Sequence, residues 1–155
     1  NSVAQIEAIL EVAEDTSLTI HERTVSNSSE VQQAAMTLAG DVDGFFIFTD
    51  NTVVSALDSV IGVANEQQIP LFVGEPDSLA KGGFATFGID YYTIGYRAGE
   101  MAVDILTGEK QPSDIKVEYP PSMQLIINKE AAELQGVEWN DEWDDIAEFL
   151  DESED

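Results

Sequence analysis

The stretch FIFTDNTVVSAL, residues 46–57, decides how the rest of the chain is read. Its first three residues are apolar without interruption, which suits a short buried strand over residues 44–48. After Asn51 the pattern changes: Val53, Val54, Leu57, Val60, Ile61 and Ala64 recur at the spacing of one helix face. A strand that runs straight into a helix leaves Thr49, Asp50 and Asn51 at the junction. One of them can cap the first helical amides, an interaction worth about 1 kcal/mol. A cap needs a single side chain, so the other two are left to contact something else.

The same alternation extends in both directions. Residues 2–14 place Val3, Ile6, Ile9, Leu10 and Ala13 at helical spacing, and residues 18–25 alternate as a strand would. Asn27 and Glu30 have the separation of a capping box before a helix that uses Val31, Ala34, Ala35 and Leu38. Apolar strands are expected at residues 70–74 and 83–89. A helix over residues 90–107 is expected to bury Ile94, Ala98, Met101, Ala102, Ile105 and Leu106 and to stop at Gly108. A last strand at residues 125–127 precedes a short helix to about Gln135. Short apolar strands alternating with amphipathic helices specify an α/β fold, a parallel sheet flanked by helices.

Composition narrows the function. The chain has 155 residues, 31 Asp and Glu against six Lys and Arg, and no cysteine. That balance excludes nucleic-acid partners and anionic membranes, both of which need basic patches. Residues 137–155 hold ten acidic residues and no basic one, forming an acidic tail for which disorder or a short helix over 141–150 is expected. The remaining 136 residues still carry 21 acidic side chains against six basic ones, a surface suited to a halophilic setting where salt screens self-repulsion. Nucleotide-binding glycine loops, a serine elbow and a Cys/His pair are all absent from the sequence, so no catalytic residue, metal site or cofactor is expected. His21, the only histidine, has no second ligand type beside it. The Gly95-x-x-x-Gly99 spacing is read as close helix–sheet packing, because Arg97, Glu100 and Asp104 rule out a lipid setting.

One irregularity stands out: the first element is a helix with no strand ahead of it. In a flavodoxin-like sheet the first strand in sequence is central, and without it the strands at 18–25 and 44–48 would flank a gap. The expectation is therefore that Asn1 is an internal start and the chain a fragment. In such sheets ligands bind beyond the carboxyl ends of the strands. Four groups lie just past strand ends: Asn1 and Ser2, then Thr49, Asp50 and Asn51, then Glu75, then Asp90, Tyr91 and Tyr92. Together they suit a small zwitterion, with a carboxylate for an ammonium and hydroxyls or amides for a carboxylate. Each has a plainer alternative: Asp50 and Asp90 as helix caps, Glu75 as a solvated turn, Asn1 and Ser2 as a helix start.

Several of these segments, in order, carry a resemblance. They are NSVAQ (1–5), VSNSSEVQQAA (25–35), VDGFFIFTDNTVVSAL (42–57), IPLFVGE (69–75), GIDYYTIGYRAGEMAVDILTGE (88–109) and LIINKEAA (125–132). Over residues 1–136 the chain resembles the carboxyl-terminal half of the ABC-transporter substrate-binding proteins that include tryptophan and other aromatic amino-acid binders. The resemblance implies a type I periplasmic-binding-protein-like lobe lacking its first strand and the amino-terminal lobe. It also implies no enzyme, an amino-acid ligand closed between two lobes, delivery to an ABC permease, and an extracytoplasmic location with a membrane anchor ahead of Asn1. Residues 112–135 would in part cross to the absent lobe, leaving 125–127 unpaired, and the tail after Gly136 would lie beyond the family pattern. A ligand-sensing effector domain of a regulator, built on the same lobe, is the alternative.

Overall fold

The computed structural model describes residues 2–120 and 123–150. Its centre is a five-stranded sheet in the order β1-β2-β3-β4-β5, formed by β1 (Phe45–Ile47), β2 (Leu71–Val73), β3 (Ala85–Ile89), β4 (Met123–Ile127) and β5 (Ala147–Phe149). The first three strands are parallel, as the sequence pattern requires. β4 instead runs antiparallel to β3, in register from Ala85↔Ile127 to Ile89↔Met123, and β5 is parallel to β4. Residues 125–127 are thus fully paired, contrary to the expectation that they would lack a partner.

Two faces follow from the alternation of side chains along each strand. Phe45, Ile47, Leu71 and Val73 point to a core completed by α2 (Val31–Leu38), α4 (Leu57–Gln67) and α5 (Pro76–Ala80). Leu57, Leu71 and Leu79 are fully enclosed there, each contributing about 1.5–3 kcal/mol by leaving water. On the opposite face Phe46, Phe72 and Phe87 remain 51%, 41% and 63% exposed. The apolar run that reads as buried on both sides is covered on one side among the described residues.

The helix after Asp50 is in fact two: α3 (Asn51–Val54) and α4, separated where Ala56 leaves helical geometry at φ −119° and ψ 22°. The break rotates the apolar stripe, so Val63 is buried with Leu57, Val60 and Ala64, while Val53, Val54 and Ile61 are only half-buried.

Residues 18–25 form no strand, and Leu18 and Ile20 are exposed. A strand persists only through pairing, and among the described residues neither this segment nor the outer edge of β1 has a pairing neighbour.

Two helices depart from their expected packing. α1 (Ser2–Glu14) half-buries Ile6, Ile9 and Ala13 but fully buries nothing. α6 (Tyr91–Leu106) begins and ends as read, capped by Asp90 and followed by Gly108 at φ 79°, yet it too buries no residue. The stripe of Ile94, Met101 and Ile105 therefore has the right spacing and no covering surface. Gly95 and Gly99 likewise face open space, with nothing within 4 Å of where a Cβ would stand, so they do not serve close packing against this sheet.

The acidic tail is tied down as far as Leu150. After α7 (Lys129–Leu134) a single turn, α8 (Trp143–Ile146), leads into β5, and Trp139, Trp143 and Phe149 pack with Phe84, Ile127 and Ala132. Apolar residues at 139, 143 and 149 override the local charge. The tail positions 151–155 and Asn1 lie outside the described residues.

Candidate functional site

The carboxyl ends of β1, β2 and β3 point the same way, and each strand is followed at once by an acidic residue that caps the next helix. Asp50 takes the Thr52 and Val53 amides on its Oδ1, at 2.9 and 3.2 Å. Glu75 takes the amides of Asp77 and Ser78 at 2.8 and 2.9 Å, and the Ser78 hydroxyl as well. Asp90 takes the Tyr92 and Thr93 amides at 2.8 and 3.3 Å, with the Thr93 hydroxyl on its Oδ2. The capping reading therefore holds for Asp50 and Asp90, and Glu75, read from the sequence as a solvated turn, caps a helix as well.

Asp50 alone does more. Its Oδ2, which takes no part in the cap, accepts a hydrogen bond from the Ser2 hydroxyl at 2.8 Å, joining residues 48 apart in sequence. This contact, followed by the α3 amides, holds the carboxyl below its ordinary pKa of 3.8, so it is an anion at neutral pH. Asp90 is lowered too, chiefly by the Thr93 hydroxyl.

The groups past the strand ends are contiguous. Ser2 touches Asp50; Thr49, next to it, lies against Gly74, where an added Cβ would come within 3.1 Å of the Thr49 hydroxyl. Gly74 adjoins Glu75, and Pro76 lies against Gly88, 3.5 Å from a Cβ built there. Gly88 and Ile89 lead to Asp90. Glycine at 74 is what allows the β1 and β2 ends to approach, a role legible only once the two ends are known to be neighbours.

The candidates differ in exposure. Glu75 is 8% exposed and its oxygens accept the α5 cap, so it is not a solvated turn. Thr49 and Asn51 are exposed, and Asp50 is half-buried. Tyr91 and Tyr92 are 53% and 78% exposed, and Tyr92 stacks on Tyr96 along the helix at 6.3 Å between rings. Asn1 lies outside the described residues. Charge at this rim has one sign: the named groups include no Lys or Arg, and Arg97 on α6 is engaged by Glu118 and Glu100.

A concavity of about 340 Å³ is lined by Phe87, Met123, Leu125 and Ile146 and does not include Asp50. Among the described residues no group of three or more His, Asp or Glu is placed to hold a metal ion.

Comparison with known proteins agrees with this geometry. The family model described as "ABC transporter substrate binding protein" matches residues 1–148, carrying the family pattern through β5 and past the Gly136 limit set by the sequence resemblance. A tyrosine-binding protein of Clostridioides difficile is 38% identical over 130 residues, which is 84% of this chain and 37% of that protein. Three solved structures align over 97% of the chain. They are a conserved domain protein from Vibrio cholerae (TM-score 0.85, 30% identity, 51% of that chain), a substrate-binding protein with adhesive properties from Clostridium difficile in its ligand-free, open form (0.78, 32%, 50%), and an ABC domain in complex with L-Trp from Streptococcus pneumonia (0.84, 25%, 51%). The chain spans about half the length of these solved relatives and 37% of the tyrosine-binding one. The match over residues 1–148 places this chain in the ABC transporter substrate-binding protein family.

Proposed function

We propose that this chain is the ligand-closing half of an extracytoplasmic substrate-binding protein that captures an aromatic amino acid and presents it to an ABC permease. The observation that carries this reading is the Asp50 carboxylate. It is anionic, half-buried and oriented by Ser2, at the carboxyl ends of parallel strands where open α/β sheets take ligands. A carboxylate so placed is a receptor for an α-ammonium. Thr49, Asn51 and Ser2 supply hydroxyl and amide groups around it, and Tyr91 or Tyr92 supplies a flat face for an aromatic side chain. The relatives named for tyrosine binding and solved with L-Trp support the ligand class. Catalysis has no part in this reading.

The path of the chain supports a clamshell. Residues 90–122 leave the sheet after Ile89 and return at Met123, and those two residues are register partners. The excursion therefore begins and ends at one point on the rim, and its helix α6 turns an apolar stripe to solvent. We assign α6 to the second lobe of a longer protein, with the two crossings beside Ile89 and Met123 as the hinge. Ligand bridging the lobes would shift the population toward the closed form recognised by the permease. Such a protein acts outside the cytoplasm on a membrane anchor in a region other than residues 2–150. The described helices include none long and apolar enough to cross a membrane. The acidic surface suits high salt.

Titration calorimetry of the intact protein with L-Tyr, L-Trp, L-Phe and their counterparts lacking the amino group tests the reading. Asp50→Ala is expected to weaken amino-acid binding at least about tenfold, or about 1.4 kcal/mol. An affinity unchanged within about threefold (under about 0.7 kcal/mol) would sink the proposal.

A further inference from the structure

The carboxyl-terminal segment, residues 137–150, is held to the domain by few and unlike forces. Trp139 and Trp143 meet edge to face at 5.4 Å, Trp143 lies against Phe84 at 5.8 Å, and Trp139 against Phe149 at 5.7 Å. These rings stay half-buried, and no residue of the segment is fully enclosed. Among the described residues, backbone bonds to the body are three register pairs with β4, the Leu150 amide on the Ile127 carbonyl at 3.1 Å and, at the segment's start, the Val137 amide on the Ala132 carbonyl at 2.9 Å; the Gln124 side chain on β4 also donates to Glu148 at 2.8 Å.

Against this stands charge. The segment carries Glu138, Asp141, Glu142, Asp144, Asp145 and Glu148 with no basic residue, and it docks on a body that is itself strongly acidic. One cation serves it: the Lys129 ammonium lies 3.8 Å from the Phe149 ring centre, 4.8 Å from that of Trp139 and 3.5 Å from an Asp144 oxygen. A three-residue strand and one short helical turn give the segment little structure of its own.

We propose that residues 137–150 form a salt-dependent clasp, closed on β4 when ionic strength screens its carboxylates and released from β4 at low salt while the α2–α4–α5 core stays folded. Apolar contact and the Lys129 anchor favour closure at all salt concentrations; like-charge repulsion opposes it only where screening is weak. Lowering salt from about 1 M to about 0.1 M lengthens the screening distance from about 3 Å to about 10 Å, enough to span neighbouring carboxylates. The core elements are spared because their contacts are enclosed and their charges lie on dispersed outer faces. β5 pairs with β4, and β4 starts at the rim opposite Ile89, so the clasp steadies one of the two strands bordering the excursion at residues 90–122. This inference stands independently of the ligand proposed above.

Hydrogen exchange read by mass spectrometry on the intact protein tests it, comparing peptides over 145–150 and 57–67 in KCl at both concentrations. In low salt the 145–150 amides should exchange at least about tenfold faster while those of α4 keep their protection. Asp141, Glu142 and Asp145 make no ion pair among the described residues, so the Asp141→Asn, Glu142→Gln, Asp145→Asn triple variant should stay closed in both salts. Lys129→Gln should weaken protection of the segment even in high salt. The clasp is overturned if both peptides lose protection together, if neither responds to salt, or if the triple variant responds as the parent does.

Discussion

The Ser2 hydroxyl donates to Oδ2 of Asp50 at 2.8 Å and so fixes, from the first turn of α1, a carboxylate that already caps α3. At the Thr49-Asp50-Asn51 junction the cap uses Oδ1 alone. Oδ2, held by Ser2, is the oxygen proposed to receive a ligand.

A pH experiment follows from it. Asp50 has a folded pKa below 3.8, so its stabilising contacts are fully present above that value and are lost as pH falls through the lowered one. Ser2→Ala removes the first cause of the shift. The acid midpoint of ligand binding, followed by calorimetry between about pH 5 and pH 2.5, should move upward toward the ordinary carboxylate value. No movement would separate Ser2 from the site.

Glu75 should behave in the opposite manner from Asp50. Glu75→Ala removes the α5 cap and is expected to cost about 1 kcal/mol of stability by urea denaturation. Amino-acid affinity should stay within about twofold (under about 0.4 kcal/mol), since its oxygens serve Asp77 and Ser78.

Gln135 is the polar keystone of the core, with no exposed surface. Its Oε1 accepts from the Leu71 amide at 2.8 Å, and its Nε2 donates to the Gly82 carbonyl at 2.9 Å and to Asn65 at 3.2 Å. Gln135→Leu keeps the volume but orphans a buried amide and a carbonyl, at about 1–3 kcal/mol for each. Thermal denaturation should show a fall in Tm of several degrees, whereas Gln32→Leu, at an exposed position on α2, should leave Tm nearly unchanged.

If α6 packs on a second lobe, its glycines are the sensitive positions. Gly99→Leu improves helix propensity by up to about 1 kcal/mol, and a Cβ at this position has nothing within 4 Å among the described residues. In the intact two-lobed protein the same change should lower Tm. An equal or higher Tm there would mean that α6 is free in solution.

Three helix starts were readable from the sequence because caps are local: Asn27, Asp50 and Asp90 each bond an amide two or three residues ahead. Strand positions at 45–47, 71–73 and 85–89 were likewise carried by short apolar runs. What escaped depends on partners distant in sequence. Residues 18–25 alternate like a strand but have nothing to pair with among the described residues, and the α6 stripe has nothing to cover it. The direction of β4 is set by where the excursion returns, which no periodicity encodes. Trp139 and Trp143 looked like tail residues because the acids around them dominate the local composition. Of the site, Asp50 was visible as a junction residue. Its link to Ser2 and the capping role of Glu75 required coordinates.

The pairing of Ile89 with Met123 has a practical side. Two antiparallel residues in register are the natural ends of a hairpin, so residues 90–122 could be cut out and replaced by a two-residue Asn-Gly turn of the kind that closes tight β-ribbons. The product would be a miniature with a continuous β3–β4 ribbon, free of the α6 stripe that otherwise faces water. It would be a smaller frame on which the rim around Asp50 could be redesigned apart from any clamshell.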